Sequence, residues 1–203
     1  PGPRPDDLLM LRERVRPQWS DEQLAQIYAG AFDQRALGWG GDARVVTSGV
    51  IGKLLLLDRP SPTVVDLAAG NGVIADDIAS STGGESILGD YAPGFTHHGP
   101  VEETIRAVSG DLFVCCETLE HLWDPDLVLG LARERFSFLV ASVPLWERAE
   151  QERYGEHYGA FDREGAEEMF AGTGWSPGFF AEVPAYPVGG DGGHYTCGIW
   201  GCS

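Results

Sequence analysis

VVDLAAGNGVIADDIA, Val64 to Ala79, changes pattern twice within a few turns of chain. An apolar run closes on Asp66, glycines follow at 70 and 72, and helix-forming residues begin at once. This order predicts a strand that turns directly into a helix. The glycines leave out the Cβ atoms that would hold a ligand away from the backbone. Phosphate-binding turns surround the anion with a Lys or with bare amides. Ala68-Ala69-Gly70-Asn71-Gly72 brings no Lys, and the Asp66 carboxylate ahead of it repels phosphate. A carboxylate there suits the ammonium group of an amino acid. Turns of this outline also occur without a ligand, so the meaning of this one depends on the rest of the chain.

With 203 residues the chain fits a single domain, large enough to bury a core without metal or disulfide staples. We read residues 1–58 as an N-terminal arm and helical cap and 59–203 as a cofactor-binding core. The densest aliphatic block, Leu54 to Leu57, falls far short of the roughly 20 residues needed to span a bilayer. The opening PGPRPDDLL has no apolar signal-peptide core, so a cytoplasmic location and no membrane partner are expected. The 14 basic residues face 31 acidic ones, a formal charge of −17. Long nucleic acids are held by Lys and Arg contacts that release counterions, so such a partner is not expected. Four of the bases, Arg4, Arg12, Arg14 and Arg16, sit in the arm. Cys115 and Cys116 lie in an apolar run, Cys197 and Cys202 flank another, and no CxxC spacing occurs. Buried reduced thiols follow.

Ser20-Asp21-Glu22 reads as a helix start, with Leu24, Ile27, Tyr28 and Phe32 on one face and Gly38, Gly40 and Gly41 as breakers. Val45 to Leu57 reads as a second helix of the cap. Strands and helices then alternate. Thr63–Leu67, Ser86–Gly89, Leu112–Cys116 and Phe138–Val143 are predicted strands, and Tyr195–Cys202 is a last β-prone run after the Gly-rich bend at 188–193. Helices are predicted to about Ser80, over 100–107, over Pro125–Phe136 and over Arg163–Gly172. This alternation implies an α/β fold, a mostly parallel sheet covered by helices on both faces.

The turn at Asp66, Ala68, Gly70, Asn71 and Gly72 resembles motif I of class I S-adenosylmethionine-dependent methyltransferases, with Ala68 where many members carry Gly. The resemblance runs over about residues 45–203. It implies a Rossmann-like, doubly wound, seven-stranded sheet and S-adenosyl-L-methionine as cofactor. Asp90, at the end of the second strand, stands where a carboxylate accepts both ribose hydroxyls. Gly99-Pro100-Val101-Glu102 lies where the family contacts adenine, which makes Val101 a cofactor residue. DLFVCCETLEHLWDPD, Asp111 to Asp126, resembles the E-x-x-E-H-[LV] segment of ubiquinone-biosynthesis O-methyltransferases. SVPLWE (142–147) and EHYGAFDREGAEEMF (156–170) fit later segments of the same group, and LGDYAPG with GPVEETI resembles small actinobacterial phage methyltransferases.

Glu117, Glu120, His121 and His157 also resemble the set with which plant small-RNA 2′-O-methyltransferases and their bacterial relatives hold a divalent metal. That likeness implies Mg²⁺ or Mn²⁺ chelated beside a ribose diol. In metal-free relatives Glu117 lies by the methionine part of the cofactor and His121 acts as base, so both stand as catalytic candidates. The expected acceptor is a hydroxylated small molecule or a sugar, methylated on oxygen. Alternatives are an RNA 3′ end, a nucleotide-sugar or NAD-type Rossmann enzyme, and a catalytically silent cofactor-binding subunit. His97 and His98 read as surface-loop residues. Trp39, Trp123, Trp146 and Trp175 are either stacking surfaces for a planar substrate or core and lid residues.

Overall fold

The structure is a computed structural model that describes residues 12–14, 18–20, 22–24, 26, 42–145, 157–185 and 195–203. Ile27, Tyr28, Phe32, Gly38, Trp39, Gly40, Gly41, Trp146 and the bend at 188–193 lie outside the described residues, as do Arg4 and Arg16. No helix of the described residues is long and apolar enough to cross a membrane.

Nine strands form one sheet: β1 (Arg12–Arg14), β2 (Thr63–Asp66), β3 (Glu85–Asp90), β4 (His97–His98), β5 (Gly110–Cys116), β6 (Phe136–Leu145), β7 (Gly159–Phe161), β8 (Pro177–Ala185) and β9 (Tyr195–Cys202). Strands β4, β3, β2, β5 and β6 lie side by side and parallel. Beyond β6 the sheet turns antiparallel: β9 pairs along Leu139–Leu145, and β8 pairs the far side of β9. At the carboxyl end of β6, Leu145 also pairs with Phe161 of β7, and β7 in turn pairs with β1. The run β4-β3-β2-β5-β6-β9-β8 has seven strands, as the family resemblance implies, and the short β7 and β1 attach at the end of β6.

Several outcomes differ from the sequence reading. Residues 12–14, read as a loose arm, pair with β7. His97 and His98, read as loop, pair with Gly89 and Asp90. Strand β8 was missed because Pro177, Gly178 and Pro184 argue against a strand interior, yet β8 lies at a sheet edge, where proline is tolerated.

The helices are α1 (Ala43–Leu55), α2 (Val73–Thr82), α3 (Val101–Thr104), α4 (Pro125–Arg133) and α5 (Arg163–Gly172). Alternation along the strands feeds two cores. Val65, Phe113, Cys115, Leu139 and Ala141 face α4 and α5, and their neighbours Val64, Leu112, Val114 and Val140 face α1 and α2. Helix α1 is therefore a layer of the core, packed on α2, β6, β8 and β9, where a separate cap was expected. Its glycines explain the fit. A Cβ on Gly52 would collide with Ile78 of α2, and one on Gly49 would lie 2.9 Å from Asp77. Lys53 and Asp77 pair at 2.7 Å across the same contact. Ahead of α1, the start read at Ser20 is a reciprocal cap, with Ser20 N–H donating to Gln23 Oε1 at 2.9 Å and Gln23 N–H to Ser20 Oγ at 3.3 Å.

Candidate active site

The chain leaves β2 toward β3 on one side, and β5 lies on the other, so the carboxyl end of β2 is a topological switch point. Open α/β sheets bind ligands in the crevice outside such a point. Asp66 ends β2 there, paired with Leu88 and Val114. It is buried, and its Oδ1 accepts the Ala68 N–H at 3.1 Å. Burial pushes its carboxyl up to about 7, and the nearby Asp90 and Asp76 carboxylates add to that, against the Ala68 hydrogen bond.

Gly70 has φ +53° and nothing within 4 Å of a would-be Cβ, so its outer side opens on free space. Gly72, φ +74°, is the residue before α2, and a Cβ there would lie 2.6 Å from Leu88. Asn71 Oδ1 accepts the Val73 N–H at 3.2 Å, which helps close the turn. Asp90 fixes the turn from β3: Oδ2 accepts the Gly70 N–H at 2.8 Å and Oδ1 the Ala92 N–H at 2.7 Å. Val101, at the start of α3, is buried in the core facing α4. Asp66, Ala68, Gly70, Asn71, Gly72 and Asp90 thus share one edge, with Val101 beneath it.

Glu117 follows β5 in the left-handed region, φ +50°, with its N–H donating to Ser142 O at 3.0 Å. Its carboxylate is fully engaged. Arg44 Nη1 lies 2.9 Å from Oε2, and the Tyr195 hydroxyl donates to the same oxygen at 2.6 Å. Ser142 Oγ at 3.2 Å and Cys197 Sγ at 3.1 Å donate to Oε1. Arg44 also bonds Tyr195 Oη and pairs with Asp42 at 2.8 Å. Burial opposes the guanidinium charge, but Asp42 and Glu117 outweigh it and hold Arg44 protonated. Burial, then the Glu117 charge, raises the Tyr195 phenol and the Cys197 thiol, so both stay neutral donors. All four cysteines are free.

The structure brings three of the four metal candidates together and puts the fourth elsewhere. Glu120, His121 and His157 offer one ligand atom each, all within 4.8 Å of one another. Glu117 is outside that group, because its carboxylate faces Arg44 and β9. The rings of His121 and His157 meet edge-on with centroids 4.7 Å apart. His121 Nε2 lies 4.0 Å from Glu120 Oε1. Glu120 and His157 are buried, and His121 is partly exposed. The Tyr158 N–H donates to Glu120 O at 2.6 Å, joining the segment before β7 to the turn after β5. Tyr158 in turn contacts the Trp19 and Trp123 rings, with centroids at 5.2 and 5.5 Å. Trp175 belongs to the core, its Nε1–H donating to Leu129 O at 3.0 Å. Sequence reasoning missed Arg44 and Tyr195, which lie far along the chain from Glu117; the only signal was a helix-start cation after Asp42.

No protein-family profile matches the sequence, and no curated protein matches it either. Solved structures do match. A Burkholderia thailandensis 1,6-didemethyltoxoflavin N1-methyltransferase, solved with S-adenosylhomocysteine, is 17% identical over 92% of this chain and 91% of its own, TM-score 0.64. The magnesium protoporphyrin IX methyltransferase of Synechocystis, also solved with S-adenosylhomocysteine, is 11% identical over 89% of this chain and 97% of its own, TM-score 0.64. The [4+2]-cyclase SpnF is 13% identical over 84% of this chain and 78% of its own, TM-score 0.63. The chain has the class I S-adenosylmethionine-dependent methyltransferase fold.

Proposed function

We propose that this chain binds S-adenosylmethionine at the Asp66–Gly72 turn and directs its methyl group to an oxygen of a hydroxylated small molecule or sugar. The observation that carries the acceptor chemistry is the Glu120–His121–His157 group, two imidazoles and a carboxylate drawn together at the sheet edge that also holds the glycine turn. The cofactor supplies an electrophilic methyl on a sulfonium, leaving the protein to bind, orient and deprotonate. Asp66 receives the ammonium, the open side of Gly70 receives the chain of the ligand, and Asp90 receives the ribose hydroxyls. His121, the exposed member of its group, takes the proton from the acceptor oxygen, while Glu120 and His157 orient it and stabilise its charge.

The same three residues fit a divalent ion. Ligands on a tetrahedral metal at about 2.0–2.2 Å stand roughly 3–3.5 Å apart, so small side-chain adjustments suffice. One oxygen and two nitrogens suit Zn²⁺, Mn²⁺ or Co²⁺ better than Mg²⁺, which prefers oxygen ligands. An ion there would lower the pKa of an acceptor hydroxyl. The RNA 3′-end reading draws on this set as well, and the charge of −17 weighs against it. The cyclase neighbour supports a second reading, a cofactor-binding fold put to other chemistry.

The test pairs radiolabelled S-adenosylmethionine with phenols, catechols and sugars, with and without chelator, and follows Co²⁺ absorption separately. The expected outcome is oxygen methylation, with Co²⁺ bands lost in Glu120→Gln and His157→Ala and kept in Glu117→Gln. Methylation confined to nitrogen or carbon would overturn the oxygen assignment. Full activity in chelator without Co²⁺ bands would remove the metal and leave His121 as base.

A further inference from the structure

Trp19, Trp123 and Tyr158 form a second aromatic group, joined to the His121–His157 pair through the chain and through the Tyr158 N–H bond to Glu120 O. His157 and Tyr158 are adjacent in sequence, and Trp123 lies two residues after His121, so both imidazoles are tied to the aromatic group through short chain segments. Tyr158 is the buried centre. It packs a tilted contact with Trp19 on one side and an edge contact with Trp123 on another. Its hydroxyl accepts the Trp19 N–H at 2.8 Å, and its own N–H is held by Glu120 O. The two indoles are only half-buried, as is His121. Large aromatic surface left partly in water is unfavourable by about 25 cal/mol per Å², and a planar ligand that covers it recovers that energy.

Resting on the oxygen-acceptor reading above, we infer that Trp123 and Trp19 form the acceptor subsite, and that the acceptor is a planar aromatic molecule carrying a phenolic hydroxyl. The ring lies against the indoles and the hydroxyl reaches the imidazoles. A phenol ionises near pH 10, whereas an aliphatic alcohol needs far more activation. The acidic chain favours a neutral ring over a polyanion.

The probes are 2-naphthol and its saturated analogue decahydro-2-naphthol, titrated calorimetrically with and without S-adenosylhomocysteine. Wild type is expected to bind naphthol at least tenfold more tightly than the saturated alcohol. Trp123→Ala loses that preference, Trp123→Phe keeps most of it, and near-ultraviolet circular dichroism checks that each variant is folded. Equal binding of the two alcohols by wild type overturns the inference, and so does undiminished naphthol preference in folded Trp123→Ala. Both comparisons are read in either cofactor state. Absence of S-adenosylhomocysteine binding therefore refutes the cofactor reading alone, while the naphthol result decides the subsite.

Discussion

The proposed seat of the cofactor's ammonium on Asp66 makes cofactor affinity depend on pH in a definite direction. In the ligand-free protein, burial lifts its carboxyl from 3.8 to about 7. At about 1.36 kcal/mol per unit, the pocket disfavours the charged form by about 4 kcal/mol relative to water. An ammonium placed beside it reverses that preference, so binding requires the ionised carboxylate. Below pH 7 each ligand bound must displace a proton. Affinity for S-adenosylhomocysteine should therefore fall about tenfold for each pH unit from 7 to 5 and level off above 7. The stability sign is opposite to that of a paired carboxylate. The folded state binds the proton more tightly, so Asp66's contribution is most favourable below about pH 4 and declines as pH rises toward 7. Asp66→Asn should accordingly raise the ligand-free Tm at pH 8 while weakening and flattening cofactor binding. Calorimetry from pH 5 to 8, in buffers of different ionisation enthalpy, reads both the slope and the released proton. A flat wild-type profile would falsify the reasoning. An unchanged slope in Asp66→Asn would move the titration to another group.

Arg44→Ala leaves Glu117 and Asp42 without their cation in a buried network, and a loss of about 3–5 kcal/mol in urea unfolding is expected. Tyr195→Phe removes the hydroxyl that donates to Glu117 and accepts from Arg44 and should cost at least about 1.5–3 kcal/mol; no change in either variant would contradict the network. Asp90→Asn should weaken S-adenosylhomocysteine about tenfold, roughly 1.4 kcal/mol, and methionine clearly less, because methionine lacks the ribose and shares only the loss of one N–H bond in the turn. Equal calorimetric loss for both ligands would confine Asp90 to holding the Gly70 amide.

The strand–turn–helix edge at Asp66 was legible because its signals are local: an apolar strand, a carboxylate at its end and glycines that only a tight turn requires. Gly70 and Gly72 do adopt positive φ there. The hydrogen bond from Gly70 to Asp90 was not legible, since it joins two strands through a turn. Glu117 shows the limit most clearly. Its spacing to Glu120 and His121 suggested one shared cleft, but its left-handed backbone and the Arg44 and Tyr195 partners turn its carboxylate toward β9. No periodicity links residue 44 or 195 to 117. Helix α1 was misplaced as a cap because it is apolar on its outer side too, with Val46, Val50, Leu54 and Leu57 exposed, so its buried stripe was hidden in the pattern.

A crystal structure of the protein with S-adenosylhomocysteine tests the central claim most directly. The account predicts one ligand at the carboxyl edge of β2, its chain across Gly70, its ribose on Asp90 and its ammonium on the Asp66 side of the turn. Ligand elsewhere on the sheet, or no ligand at the turn in crystals grown at saturating concentration, would contradict it.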